Sequence, residues 1–184
     1  MADPVGPAAA EERRQAFDRV VVPEIQLLYR VATTLTSQPA EAEDLVQDTL
    51  LRAYRGLDGF DGVHARAWLL AILRNANISR NRRRRPGLLD DPAAADRGGD
   101  DGDRGPERLV LDQVFDAQVE AAFGALPAEQ QAVIRLVDVH GLSYQEAADV
   151  LGTPVGTVMS RLHRGRTRIR RRLTAASGYG RWRR

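Results

Sequence analysis

The sequence predicts an all-α protein of two small helical domains joined by a flexible acidic linker. Three observations carry this. No stretch alternates apolar and polar residues with the period of a strand, whereas apolar residues recur at helical spacing along most of the chain. A Gly- and Pro-bearing stretch, 86–108, breaks that pattern with seven acids against three arginines. The segment from Leu142 to Arg172, LSYQEAADVLGTPVGTVMSRLHRGRTRIRRR, reads as two helices joined by a tight turn.

At 184 residues the chain can bury one modest core or two small ones. Its net charge is only +2, yet its pI is about 9.5, and all 27 basic residues are arginine. The absence of cysteine excludes disulfides, a thiolate zinc site and a thiol nucleophile. The histidines His64, His140 and His163 form no ligand spacing, so no metal, cofactor or catalytic centre is expected. No apolar run reaches transmembrane length, and MADPVGPAAAEERR lacks the apolar core of a signal peptide. A cytoplasmic location is the expectation.

Residues 1–10 are small, with Pro and Gly, and are expected to be a disordered tail. The first domain is placed at 11–85. Its first helix spans Glu11 to about Thr36, with Phe17, Val20, Val21, Ile25, Leu28, Val31 and Leu35 as its apolar series; Pro23 kinks or splits it. The next, Ala40 to Leu57, buries Ala42, Leu45, Val46, Thr49, Leu50, Ala53 and Leu57. Its other face sets Glu41, Asp44, Asp48, Arg52 and Arg55 around Leu51, a large apolar residue with no core to enter. Asp48 and Arg52 make a good i,i+4 pair, but a leucine ringed by charge resembles a protein-interface hot spot with its rim. After the turn-rich LDGFDGV, a helix from Ala65 to Ile78 carries Trp68, Leu69, Ile72 and Leu73 and leads into Asn75, Asn77, Arg80 and the block Arg82 to Arg85. Asn and Ser favour breaks and caps, so two forms stay open here: one continuous helix, or a short loop near Asn75 to Asn77 followed by a basic helix. Amides and arginines without apolar cover suit nucleic acid; the simpler reading is a solvated helix C-terminus.

The linker, 86–108, could reach at most about 75 Å when extended. The second domain, 109–174, opens with Leu111, Val114, Phe115, Val119, Ala122, Phe123 and Leu126 at helical spacing. A helix from Pro127 with Val133, Ile134, Leu136 and Val137 stops at His140-Gly141. Ser143 and Glu146 then make a capping box, and Gly152 stands where a helix ends in a left-handed residue. Thr153 is expected to cap the last helix, with Pro154 at its first position. On that helix Val155, Val158, Leu162, Ile169 and Leu173 fall on one side. The opposite side carries Gly156, Thr157, Ser160, Arg164, Thr167, Arg168 and Arg171. A slim polar tip followed by cations is what a helix-turn-helix needs to enter the major groove and hold phosphates. From Arg161 to Arg184 there are ten arginines and no acid, so ion pairing within the helix is impossible. Residues 175–184 form a basic tail.

Two blocks, AEDLVQDTLLRAYRGLDGF with AWLLAILRN and LPAEQQAVIRLVDVHGLSYQEAADVLGTPVGTVMSRLHRGRTRIRRRL, stand in this order with the acidic linker between them. Over about Phe17 to Leu173 the chain resembles the extracytoplasmic-function (group IV) sigma factors of bacterial RNA polymerase. The resemblance implies that the helix with Asp44, Gln47, Asp48, Leu51 and Arg52 docks on the clamp helices of the polymerase β′ subunit. It implies that Trp68 to Arg85 melts the −10 element and captures its non-template strand, with Asn75 and Asn77 lining the pocket or loop for a flipped base. Arg80, Arg82, Arg83 and Arg84 would then hold backbone. It implies that the last helix reads the −35 element, with Ser160, Arg161, His163 and Arg164 nearest the bases; Thr157, Arg168 and Arg171 lie along the same helix. The linker would thread the polymerase's active-site and RNA-exit channels. The implied partners are core polymerase (β′ clamp helices and β flap), promoter DNA and a separate anti-sigma factor, with no membrane insertion and a monomeric free chain. Met159 departs from the basic residue common at its position, and GTVMSRLHRGR looks most like members answering to oxidative stress.

Two other classes fit parts of the chain. A stand-alone repressor or activator, dimerising through the N-terminal helices, would use the same helix-turn-helix but leaves Asn75 to Arg85 unexplained. An RNA-binding protein would use the arginine-rich tail.

Overall fold

The computed structural model describes residues 7–84 and 109–176, and among these all the regular structure is helical. The expected linker at 86–108 and the end of the basic tail lie outside the described residues.

Helix α1 (Pro7–Val20) begins four residues earlier than the tail expectation allowed. Pro7 sits at the first helical position, where its missing N–H costs nothing, and Ala8 to Ala10 are strong helix formers. Pro23 splits the long helical pattern rather than bending it. A 3-10 turn at Val22–Glu24 intervenes, and α2 runs Ile25–Leu35. α3 (Pro39–Gly56) buries Ala42, Leu45, Val46, Thr49 and Ala53 as its spacing predicts. Thr49 is fully buried, and its hydroxyl donates to the Leu45 carbonyl at 2.7 Å, so no polar group is stranded there. α1 is held to this helix by Phe17, edge-on to Tyr54 with ring centroids 5.5 Å apart, and to the 3-10 turn that follows it, Leu57–Gly59, by an Arg13–Asp58 ion pair.

α4 (Ala65–Arg84) is one unbroken helix. The alternative with a loop at Asn75 to Asn77 is not realised. Ser79 donates its hydroxyl back to the Asn75 carbonyl at 2.8 Å, a local bond that satisfies the side chain without opening the helix. Leu69, Leu70, Leu73 and Ala76 are its buried stripe.

The second domain comprises α5 (Leu109–Gly124), α6 (Ala128–Ile134), α7 (Tyr144–Leu151) and α8 (Val155–Ala176). α6 widens into a π-helical turn, Arg135–Val139, in which the His140 N–H reaches the Arg135 carbonyl at 2.8 Å. The turn ends at Gly141, whose φ of +69° lies in the left-handed region that favours glycine. The capping box is present in both halves, and Gly152 is left-handed. The expected Thr153 cap is not: α8 starts at Val155, with the Pro154 carbonyl accepting from Thr157 and Val158, so Thr153 lies one residue too early. Its hydroxyl is buried without a partner among the described residues. α6 and α8 approach closely at Gly165, where an added Cβ would lie 2.7 Å from the Ile134 methyl.

The domains share one continuous apolar cluster. α4 lies against α7, and the π-helical turn lies against α2.

Candidate nucleic-acid and protein interfaces

On α8 the buried side is Val158, Leu162 and Gly165, with Ile169 half-buried. At 100° per residue, Ser160, Arg164 and Arg171 fall together on a flank turned away from it. Arg164 and Arg171 are exposed and have no hydrogen-bond or ion-pair partner among the described residues. Ser160 is half-buried, its hydroxyl donating to the Thr157 carbonyl at 3.0 Å. His163 is exposed beside Met159, and with Tyr144, Arg166, Thr167 and Arg170 they line a shallow groove of about 280 Å³.

Other arginines of α8 are occupied, which corrects the picture of a wholly unpartnered cationic helix. Acids are absent within the helix but are supplied by its neighbours. Arg161 turns to α6 and pairs with Glu129 at 2.6 Å, its side chain only 22% exposed, so it is not presented for base reading here. Arg166 Nε donates to Asp138 at 3.0 Å in the π-helical turn. Arg168 reaches Gln130 Oε1 at 3.2 Å, and Arg172 the Ala122 carbonyl at 3.3 Å. Among the described residues the free set is therefore narrower than the sequence suggests: His163, Arg164, Arg170 and Arg171, with Thr157 and Ser160 at the slim tip.

On α4 the continuous helix separates residues that the sequence places together. Asn75 and Asn77 are two positions apart, about 200° around the axis, so they cannot line one pocket. Asn75 is exposed and shares its flank with Trp68 and Arg82; Asn77 is half-buried and shares its own with Arg66 and Arg74. Trp68 is half-buried and stacks on Phe60, ring centroids 4.5 Å apart and 24° from parallel, which fixes the indole against the preceding turn. Arg80 is turned to α3 and lies 3.4 Å from Asp44, while Arg82 and Arg83 are exposed. The Arg84 side chain lies outside the described residues.

On α3, Asp44, Gln47, Asp48, Leu51 and Arg52 form one face, since they recur at i, i+3, i+4, i+7 and i+8. Leu51 is 57% exposed, and Arg52 Nε donates to Asp48 at 3.0 Å. Tyr54, 38% exposed, was not singled out from the sequence. Its place under Arg13 of α1, 5.8 Å from guanidinium carbon to ring centroid, depends on a long-range contact. Arg66, Arg74 and His140 were likewise missed, because what distinguishes them is contact between the domains.

Residues 21–86 match the family described as Sigma-70 region 2, and residues 116–169 the family described as Sigma-70, region 4. The chain is 32% identical over 157 residues to the ECF RNA polymerase sigma factor SigW of Bacillus subtilis (strain 168), covering 79% of this chain and 82% of that one. It is 35% identical over 156 residues to SigE of Mycolicibacterium smegmatis, covering 84% of this chain but 60% of SigE's length. Among solved structures it is similar to the sigma factor RpoE in complex with the anti-sigma factor NepR from Bartonella quintana, with TM-score 0.58, 32% identity, and coverage of 86% of this chain and 96% of that one. It is also similar to CnrH in complex with the cytosolic domain of CnrY, at TM-score 0.54 and 28% identity, covering 91% of this chain and 94% of that one. With a region 2 domain carrying the exposed α3 and α4 faces and a region 4 helix-turn-helix behind it, the chain belongs to the extracytoplasmic-function sigma factors of the sigma-70 family.

Proposed function

We infer that this protein is an alternative sigma factor that binds core RNA polymerase, recognises −35 and −10 promoter elements and promotes DNA melting. The observation that carries this reading is the pairing of two differently built surfaces in sigma order. An apolar residue rimmed by charge on α3 suits a protein partner, and the free cations and small polar residues of α8 suit the major groove. α3, through Asp44, Gln47, Asp48, Leu51 and Arg52, is the polymerase face. The exposed flank of α4, with Asn75 and Arg82, meets the displaced strand, and Ser160, His163 and Arg164 meet −35 base edges while Arg171 holds phosphate. Chemistry then belongs to the polymerase, and this chain acts in the cytoplasm as a specificity factor with no catalysis of its own.

The similar structures are complexes with an anti-sigma factor or with a cytosolic domain. A separate anti-sigma protein is the corresponding controller here. Among the described residues no helix is long and apolar enough to cross a membrane. The deciding experiment is transcription in vitro with purified core polymerase and genomic templates, followed by mapping of start sites. A shared pair of upstream elements supports the reading. Transcripts identical with and without this chain overturn it.

A further inference from the structure

Among the described residues Met159 is the one large apolar side chain that α8 exposes, 52% of it open to solvent in the second turn of the helix. At 100° per residue it stands 100° from the buried Val158 and only 40° from His163. It therefore edges the outward face that His163 and Ser160 occupy. His163, Arg166 and Arg170 follow it at i+4, i+7 and i+11, in one row along the helix. Tyr144, at the first position of α7, stands across from this row, and together they line the shallow groove of about 280 Å³. Asp138 holds Arg166 at one wall, its carboxylate accepting from Arg166 Nε at 3.0 Å. The Arg170 side chain is exposed and has no partner among the described residues. The groove is thus an apolar spot with a cationic edge.

We propose that Met159 is a specificity-determining residue of α8, reading one thymine of the −35 element by packing on its C5-methyl group. The charge of the groove favours a polyanion over an apolar protein segment, since the cations of the row would meet phosphates on either side of a base contact. Within the major groove only thymine carries an apolar group on its edge; the other bases show donors and acceptors alone. A hydroxyl or an imidazole nitrogen, as in Ser160 or His163, finds a partner on more than one base. A thioether chain finds its best partner on thymine. Methionine is also unbranched and polarisable, so it settles on a methyl group without a fixed approach angle. This contact rests on the sigma-factor reading of α8 and adds a base to it.

Replacing thymine by deoxyuridine keeps the base pair and removes only the methyl group. Holoenzyme made from the full chain and core polymerase is titrated against promoter duplexes in which each −35 thymine, on either strand, is replaced in turn. At one position the loss of the methyl group is expected to weaken binding about fourfold, as for one methylene-sized group returned to water. Met159→Ala should weaken binding to the thymine duplex and bring it level with the uracil duplex. Met159→Leu, which keeps the apolar bulk, should keep the difference. Neither change should alter core polymerase binding or the melting temperature, since Met159 lies outside the core.

A −35 element without an A·T pair, or binding indifferent to every uracil substitution, overturns the methyl contact. A uracil penalty that persists undiminished in Met159→Ala gives the contact to another side chain and overturns it too. Each of these leaves the sigma reading standing, because the holoenzyme still selects its promoter. Weaker core polymerase binding by Met159→Ala would make the groove a protein contact, which also overturns the proposal. Holoenzyme that selects no −35 sequence at all sinks the sigma reading and the methyl contact with it.

Discussion

Asn75 and Asn77 stand on opposite flanks of one unbroken helix, the first exposed and the second half-buried. A single base pocket cannot use both. If α4 captures a flipped base, the exposed Asn75 is the side chain placed to bond its edge, offsetting the few kcal/mol that unstacking costs. Asn75→Ala is expected to spare closed-promoter binding by holoenzyme while reducing permanganate reactivity of −10 thymines, with a pre-melted template restoring transcription. Asn77→Ala should show the smaller defect. The reverse order would move strand capture to the other flank.

On α8 the contrast between Arg164 and Arg161 is testable in the same way. Arg164 is free and exposed, and Arg164→Ala should cost about 1–3 kcal/mol of discrimination between consensus and altered −35 sequences. Arg161 is already paired with Glu129, so Arg161→Ala should chiefly lower stability, by about 0.2–1 kcal/mol for a partly exposed pair. Arg171→Ala should weaken binding equally on all sequences and flatten its salt dependence. Fluorescence anisotropy on matched duplexes across a salt series, with thermal melts of the three variants, separates these outcomes.

Leu51 offers a large apolar side chain to solvent between the paired Asp48 and Arg52. Leu51→Glu is expected to weaken core polymerase binding by about 2 kcal/mol, or about thirtyfold, as for an interface hot spot. Asp48→Arg should act in the same direction. Neither should change the melting temperature much, since both positions lie outside the core. Unchanged affinity in a core-binding titration would remove α3 as the docking face.

His140 is expected to make the stability of the fold sensitive to pH. Burial first, then the charges of Arg30 and Arg135, hold its imidazole below the ordinary value of 6.5. The folded state thus binds fewer protons at His140 than the unfolded one. Its stability is whole above 6.5 and is lost as pH falls through the lowered value. Between about pH 7.5 and about pH 5.5 the melting temperature should fall, and His140→Gln should flatten that response. A melting temperature that does not change over this range, or an unchanged response in the variant, would assign the sensitivity elsewhere.

Much of the architecture is local in origin and was legible in the chain itself. The capping box of Ser143 and Glu146, the left-handed Gly152, the split at Pro23 and the buried stripe of α3 each follow from the residues within a turn or two. The exposed Leu51 was legible for the same reason, because helical period alone says which face lacks a core. The tertiary structure decided what depends on neighbours distant in sequence. Whether Arg161 is free or paired is set by Glu129, which α6 brings to it from 32 positions away. Continuity of α4 through Asn75 and Asn77 rests on buried Leu73 and Ala76, whose packing outweighs the weak helix preference of asparagine. Glu146 is a capping residue by its sequence, and only folding gives it Arg66 from the other domain. Side-chain charge is written in the sequence; which charges remain unpaired is a property of the fold.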